Sequence, residues 1–126
     1  IYEMRSDVMT STIELQKREL IDNLINQARD VIQNADTSKS GNILIETDDK
    51  DVFQELISIL MAFMTTLDYK PKTKSFITEN FSVHYNTLHK LCFKKETSVI
   101  LPSTVDTFLN ECETLANIHF GELQRA

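Results

Sequence analysis

Apolar residues fall along this chain in four blocks, separated by polar stretches rich in turn-forming residues. From Thr10 to Ala35, the residues Ile21, Leu24, Ala28, Val31 and Ala35 recur at alternating spacings of three and four, with Leu20, Ile25 and Ile32 widening the stripe. That spacing predicts an amphipathic helix over roughly 8–36, closed by Asp36-Thr37-Ser38-Lys39-Ser40-Gly41-Asn42. The second block, Val52 to Leu67, has eleven apolar residues in sixteen and neither Gly nor Pro. It predicts a helix over 49–68 that stops before Pro71, since a residue preceding Pro is pushed out of the helical region. At 1.5 Å per residue the block reaches roughly 24 Å, short of a bilayer's hydrocarbon core, so it reads as a buried helix and not a membrane span.

Projected at 100° per residue, the second helix has a wet side made of Gln54, Glu55, Ser58, Ala62, Thr65 and Thr66. The remaining apolar arc spans roughly 200°, about twice the minimum stripe of a surface helix. Ile59 and Met61 stand at its edges. A third helix over 73–94, with a restart allowed at Ser82, puts Ile77, Phe81, Leu88, Leu91 and Cys92 on one broad face. A fourth over 103–124 begins at Pro102-Ser103, with Ser103 as its cap, and buries Val105, Phe108, Leu109, Cys112, Leu115, Ala116 and Leu123. Two short β-prone runs, Asn42 to Ile45 and Ser98 to Leu101, follow the first and third helices. If the helices pack as a bundle these runs come close enough to pair. The expected fold is therefore all-α, a single four-helix bundle-like domain over 1–126 with a two-stranded β pair formed by its connections.

Composition narrows the functional classes. In 126 residues, 41% apolar against 25% charged is a globular balance, and only two Gly and two Pro leave few turn-formers for a many-stranded sheet. The formal net charge of −6 disfavours a nucleic-acid or anionic-membrane binder acting through its whole surface. That charge is unevenly spread. Lys70, Lys72, Lys74, Lys90, Lys94 and Lys95 face a single acid, Glu79, within Lys70 to Lys95, a local balance of +5 against −11 elsewhere. No signal peptide is visible, and Ile1 is not an initiator Met, so the sequence reads as an excised piece of a larger protein. Two cysteines form no disulfide framework, which leans toward a reducing compartment and an intracellular, cytoplasmic or nuclear location.

Candidate chemistry changes the picture little. The acids Asp48, Asp49 and Asp51 lack the central Gly and the distal Glu of a calcium loop, and are expected to cap the second helix, their carboxylates accepting its free backbone N–H groups and favoured by its dipole. His89, Cys92, Cys112 and His119 have the donor types for zinc, but Cys112 lies nine residues past Ser103, roughly 13 Å along the last helix, while Cys92 ends the preceding one. The same offset disfavours a Cys92 to Cys112 bridge. With glycines only at Gly41 and Gly121 there is no P-loop or dinucleotide fingerprint. No catalytic residue, metal ligand or cofactor site is expected, and the chain is read as a non-enzyme. His89-Lys90-Leu91-Cys92-Phe93 weakly resembles the His-x-Leu-Lys-Gly motif of histidine-containing phosphotransfer domains. Cys92 and Phe93 stand where that family has Lys and Gly, and Phe93 would crowd a receiver's approach.

The remaining reading is binding. The expected function is a protein–protein interaction module that recruits or scaffolds a partner, with an acidic partner surface, through a helical face. Ile59 and Met61 supply apolar contact, Lys90, Lys94 and Lys95 supply charge, and homo-oligomerisation stays open. One alternative is a secreted ligand, since the order helix, strand, helix, helix, strand, helix is similar to that of short-chain four-helix cytokines, although their multiple disulfides are missing. Another is nucleic-acid or acidic-ligand binding through the Lys70 to Lys95 segment, whose lysines are interleaved with Phe76, Phe81, Tyr85 and Phe93. Helical periodicity assigns those aromatics to the core instead.

Overall fold

The computed structural model describes residues 2–121, with side chains from residue 12 onward. Its elements are α1 (Tyr2–Asn34), β1 (Ile43–Ile45), α2 (Lys50–Met64), α3 (Thr73–Asn80), α4 (Tyr85–Cys92), β2 (Ser98–Ile100) and α5 (Pro102–Phe120). The fold is mostly α, with a small antiparallel strand pair. Side-chain contacts fix the helix directions. Phe53 meets Phe108 at 6.4 Å and Phe63 meets Phe120 at 5.6 Å, so α2 and α5 run parallel. Lys17 lies over Phe63 and Arg18 binds Asn117, so α1 runs antiparallel to both. The end of α4 reaches back to Lys50 at the start of α2. The arrangement is up-down-up-down, with the third helix broken in two.

The core sits where the stripes converge. Ile21, Leu24, Ile25 and Ala28 of α1, Phe53, Leu56, Ile57 and Leu60 of α2, and Val105, Phe108, Leu109, Cys112 and Ala116 of α5 are buried. Phe108 is its aromatic hinge, 5.3 Å from Phe81 as well as beside Phe53. The α1 stripe was legible in the spacing except at Leu20, which is 42% exposed. Arg18 is buried in the α1–α5 seam, 2.7 Å from Asp22 and donating from Nη2 to Asn117 Oδ1 at 2.7 Å, which offsets part of the cost of burying the charge while Nε is left without a hydrogen-bond partner.

β1 and β2 pair in the register Ile43 to Ile100, Leu44 to Val99 and Ile45 to Ser98. Ile43, Ile45 and Ile100 turn inward, giving the marginal pair the packing it needs. Gly41 at φ 85° closes the turn that leads into β1.

Four expectations about helix ends are corrected. The acids before α2 make no side-chain cap. Thr47 to Asp49 instead form a 3-10 turn in which the Asp49 N–H donates to the Glu46 oxygen, leaving the carboxylates near the positive end of the helix dipole. α2 ends at Met64, not 68, because Thr65 turns extended while its N–H and hydroxyl both donate to the Met61 oxygen. Leu67, counted with the apolar block, is consequently 91% exposed. α5 starts one residue early, with Pro102 in its first turn and Leu101 rather than Ser103 as the cap residue, since Pro's fixed φ suits that place and it has no N–H to satisfy. α5 ends at Phe120, before Gly121 at φ 75°, and Leu123 lies outside the described residues.

The break between α3 and α4 falls at the expected restart. Phe81 is extended as it enters the core against Phe76 and Phe108. Glu111 of α5 then accepts both the Ser82 N–H and its hydroxyl, and His84 caps α4 by accepting the Asn86 N–H on Nδ1. The Ser82 and Asn86 N–H groups freed by the break thus find side-chain acceptors without a Gly or Pro in the segment.

Candidate interaction surface

Eight residues of α4 divide cleanly. Leu88, Leu91 and Cys92 face the core, whereas Tyr85, His89 and the following Phe93, spaced by four, form a ladder along the flank of the helix, Tyr85 and Phe93 resting partly against the core. Ring centroids are 6.0 Å apart from Tyr85 to His89 and 6.1 Å from His89 to Phe93, and the Lys74 ammonium sits 5.2 Å from the Tyr85 ring. His89 is exposed, Tyr85 and Phe93 half-buried. Phe76 and Phe81 are buried in the core as expected, and Tyr85 and Phe93 pack against it with part of each ring left open.

Lys90, Lys94 and Lys95 are all exposed beside this ladder. Lys94 and Lys95 form part of the rim of a cleft of about 150 Å³ that also involves Phe93, Lys50, Asp51 and Gln54. The rim carries both signs, because Asp51 is exposed across from the lysines and Lys94 pairs with Glu96 at 2.8 Å. The Lys94 hydrogen bond, reinforced by its charge, holds the Glu96 carboxyl below its ordinary pKa. Lys90 and Lys95 have no acid within ion-pair distance among the described residues.

The floor of this region is Lys50, which in the sequence stands inconspicuously in the charged run Asp48-Asp49-Lys50-Asp51. Lys50 is 2% exposed, and its ammonium donates to the main-chain oxygens of Lys94 and Glu96 and to Ser98 Oγ. Three acceptors match the three donors of an ammonium. Burial pulls its pKa below the ordinary lysine value, Glu96 opposing and Lys94 adding to the fall. Through these bonds the segment bearing Lys94 and Lys95 is fastened to the start of α2.

Ile59 and Met61 lie elsewhere. Both are half-buried and packed against the core. Ile59 is nine residues beyond Lys50, roughly 14 Å along α2, and Met61 roughly 17 Å. Lys90, Lys94 and Lys95 are therefore gathered at one end of α4, and the two apolar candidates are not gathered with them. The signal that could have found the ladder is the repeat of aromatic or imidazole rings at 85, 89 and 93.

The other reactive side chains are dispersed. Cys92 and Cys112 are free and buried. Burial pushes both thiols well above their ordinary pKa, the charge of Cys92 adding to the rise at Cys112 and that of Lys50 opposing it at Cys92. Both are thus protonated and poor nucleophiles at neutral pH. His119 is exposed beside Phe120. Among the described residues no group of three His, Cys, Asp or Glu side chains is placed to hold a metal ion. A wider cleft of about 280 Å³ between the starts of α4 and α5 is lined by Ser82, Val83, His84, Thr87, Ser103, Thr104 and Thr107, with no carboxylate or ammonium in its wall. Among the described residues no helix is long and apolar enough to cross a membrane.

Comparison with protein-family models, with curated proteins and with solved structures gives no match.

Proposed function

We propose that this chain is a helical interaction module of an intracellular protein, recruiting a protein partner with an acidic surface through the outer face of α4. The observation that carries the reading is the ladder of Tyr85, His89 and Phe93 with Lys90 and Lys95 exposed alongside. Such a strip combines what binding hot spots use, rigid rings that bury area with little loss of rotamer entropy and cations that select an opposite charge. Ring spacing of about one helical turn suits a partner helix that presents a side chain every fourth residue. Lys50 contributes by holding the Lys94 to Ser98 segment in place, so less order has to be acquired on binding. Ile59 and Met61 are secondary here, since they lie roughly 14 and 17 Å along α2 from Lys50, away from the lysines of α4.

The test is an affinity capture from extracts of the cells that make the protein, run with the wild-type chain and with an H89A/K90E/K95E variant. A protein retained by the wild type and lost with the variant supports the reading. Retention of nothing by the wild type, or of the same proteins by both, contradicts it.

A further inference from the structure

The connection between α2 and α3 displays an apolar side chain in a built turn. The Thr66 N–H donates to the Tyr69 oxygen and the Tyr69 N–H donates to Thr66 Oγ1, each at 3.0 Å, with Leu67 and Asp68 at the apex. The Tyr69 hydroxyl donates to Glu79 and accepts from Asn80, which ties the turn to the end of α3. Leu67 is 91% exposed, the most exposed of the large apolar side chains among the described residues. Lys70, Lys72 and Lys74 follow within seven residues and are all exposed. From Leu67 to Thr78 the only acid is Asp68, and Glu79 is engaged by Tyr69.

We propose that this turn docks peripherally on an anionic lipid bilayer, Leu67 entering the boundary between headgroups and acyl chains and Lys70 and Lys72 facing the headgroups. A protruding leucine on a convex turn needs a soft apolar medium, which a bilayer supplies without a matching pocket and a nucleic acid does not. The lysines beside Leu67 meet anionic headgroups at short range, against the repulsion of the net −6 carried by the whole chain. The turn lies past the far end of α2 from Lys50, roughly 22 Å from the lysine-edged cleft, and the proposal stands independently of the α4 surface.

The test is sedimentation with extruded vesicles of phosphatidylcholine alone and with about 30% phosphatidylserine, in about 0.1 M salt. The wild type is expected to pellet with the anionic vesicles, to stay in solution with the neutral ones, and to be released as salt rises. L67S is expected to weaken partitioning by about tenfold or more and K70Q/K72Q by about 25-fold, with the thermal midpoint of each unchanged because all three side chains are exposed. No association with anionic vesicles overturns the proposal. So does equal association of L67S. Salt-dependent binding to an oligonucleotide that L67S leaves intact, without vesicle binding, also overturns it and assigns the lysines to nucleic acid.

Discussion

The Lys50 ammonium donates to the main-chain oxygen of Lys94 at 2.7 Å, joining the start of α2 to the end of α4. With Glu96 and Ser98 as further acceptors, one side chain satisfies polar groups on the segment that carries two lysines of the candidate surface. Replacing Lys50 by Met keeps the stem but leaves those acceptors without a donor. We expect K50M to lower the unfolding free energy by about 2–3 kcal/mol, read by urea denaturation. K50M should also weaken partner capture although Lys94 and Lys95 remain.

Phe108 touches Phe53 of α2 and Phe81 between α3 and α4, so its ring couples three parts of the bundle. F108A should cost about 3–5 kcal/mol by the lost burial and the cavity left behind. A cycle with F81A should be non-additive, because both changes open one shared space.

Gly41 adopts φ 85° with open space around the position where a Cβ would stand. A substitution there is therefore penalised by backbone conformation alone. G41A should cost about 1 kcal/mol and G41N less, because Asn tolerates positive φ. The comparison is read from denaturation midpoints.

The thiols of Cys92 and Cys112 are raised in the folded state by burial. Their contribution to stability is complete below the unfolded thiol pKa of about 8.5 and is lost as pH rises beyond it, since the unfolded chain releases those protons first. Under reducing conditions the stability gap between the wild type and C92A/C112A should narrow by roughly 3–4 kcal/mol from about pH 8 to about pH 10. Native thiols should react with a disulfide reagent only as fast as the protein opens.

Much of the fold was legible because burial follows periodicity. Ile21, Leu24 and Ala28 are buried, and Gln54, Glu55, Ser58 and Ala62 make up the exposed side of α2. The strand pair could be read from its position between helices. What escaped depended on neighbours that a single sequence does not reveal. Thr65 and Thr66 continue a helical pattern, yet the backbone turns extended at Thr65 and leaves Leu67 outside. Lys50 sits among aspartates and reads as a solvated charge until the main chain of Lys94 and Glu96 is brought over it. The rings at 85, 89 and 93 fit either a core or a surface face, and the positions of α2 and α5 decide between them.

The α4 surface is tested most directly by placing a photo-crosslinking residue at His89 and, as a control, at Ile118, which is 69% exposed on α5. Irradiation in extracts of the producing cells should give one dominant adduct from position 89, abolished by K90E/K95E, and none of the same mass from position 118. Those charge reversals should shift stability by no more than about 0.5 kcal/mol, so lost crosslinking would report lost binding. The absence of an adduct at position 89, or an adduct that survives K90E/K95E, would contradict a partner recruited by the basic face of α4.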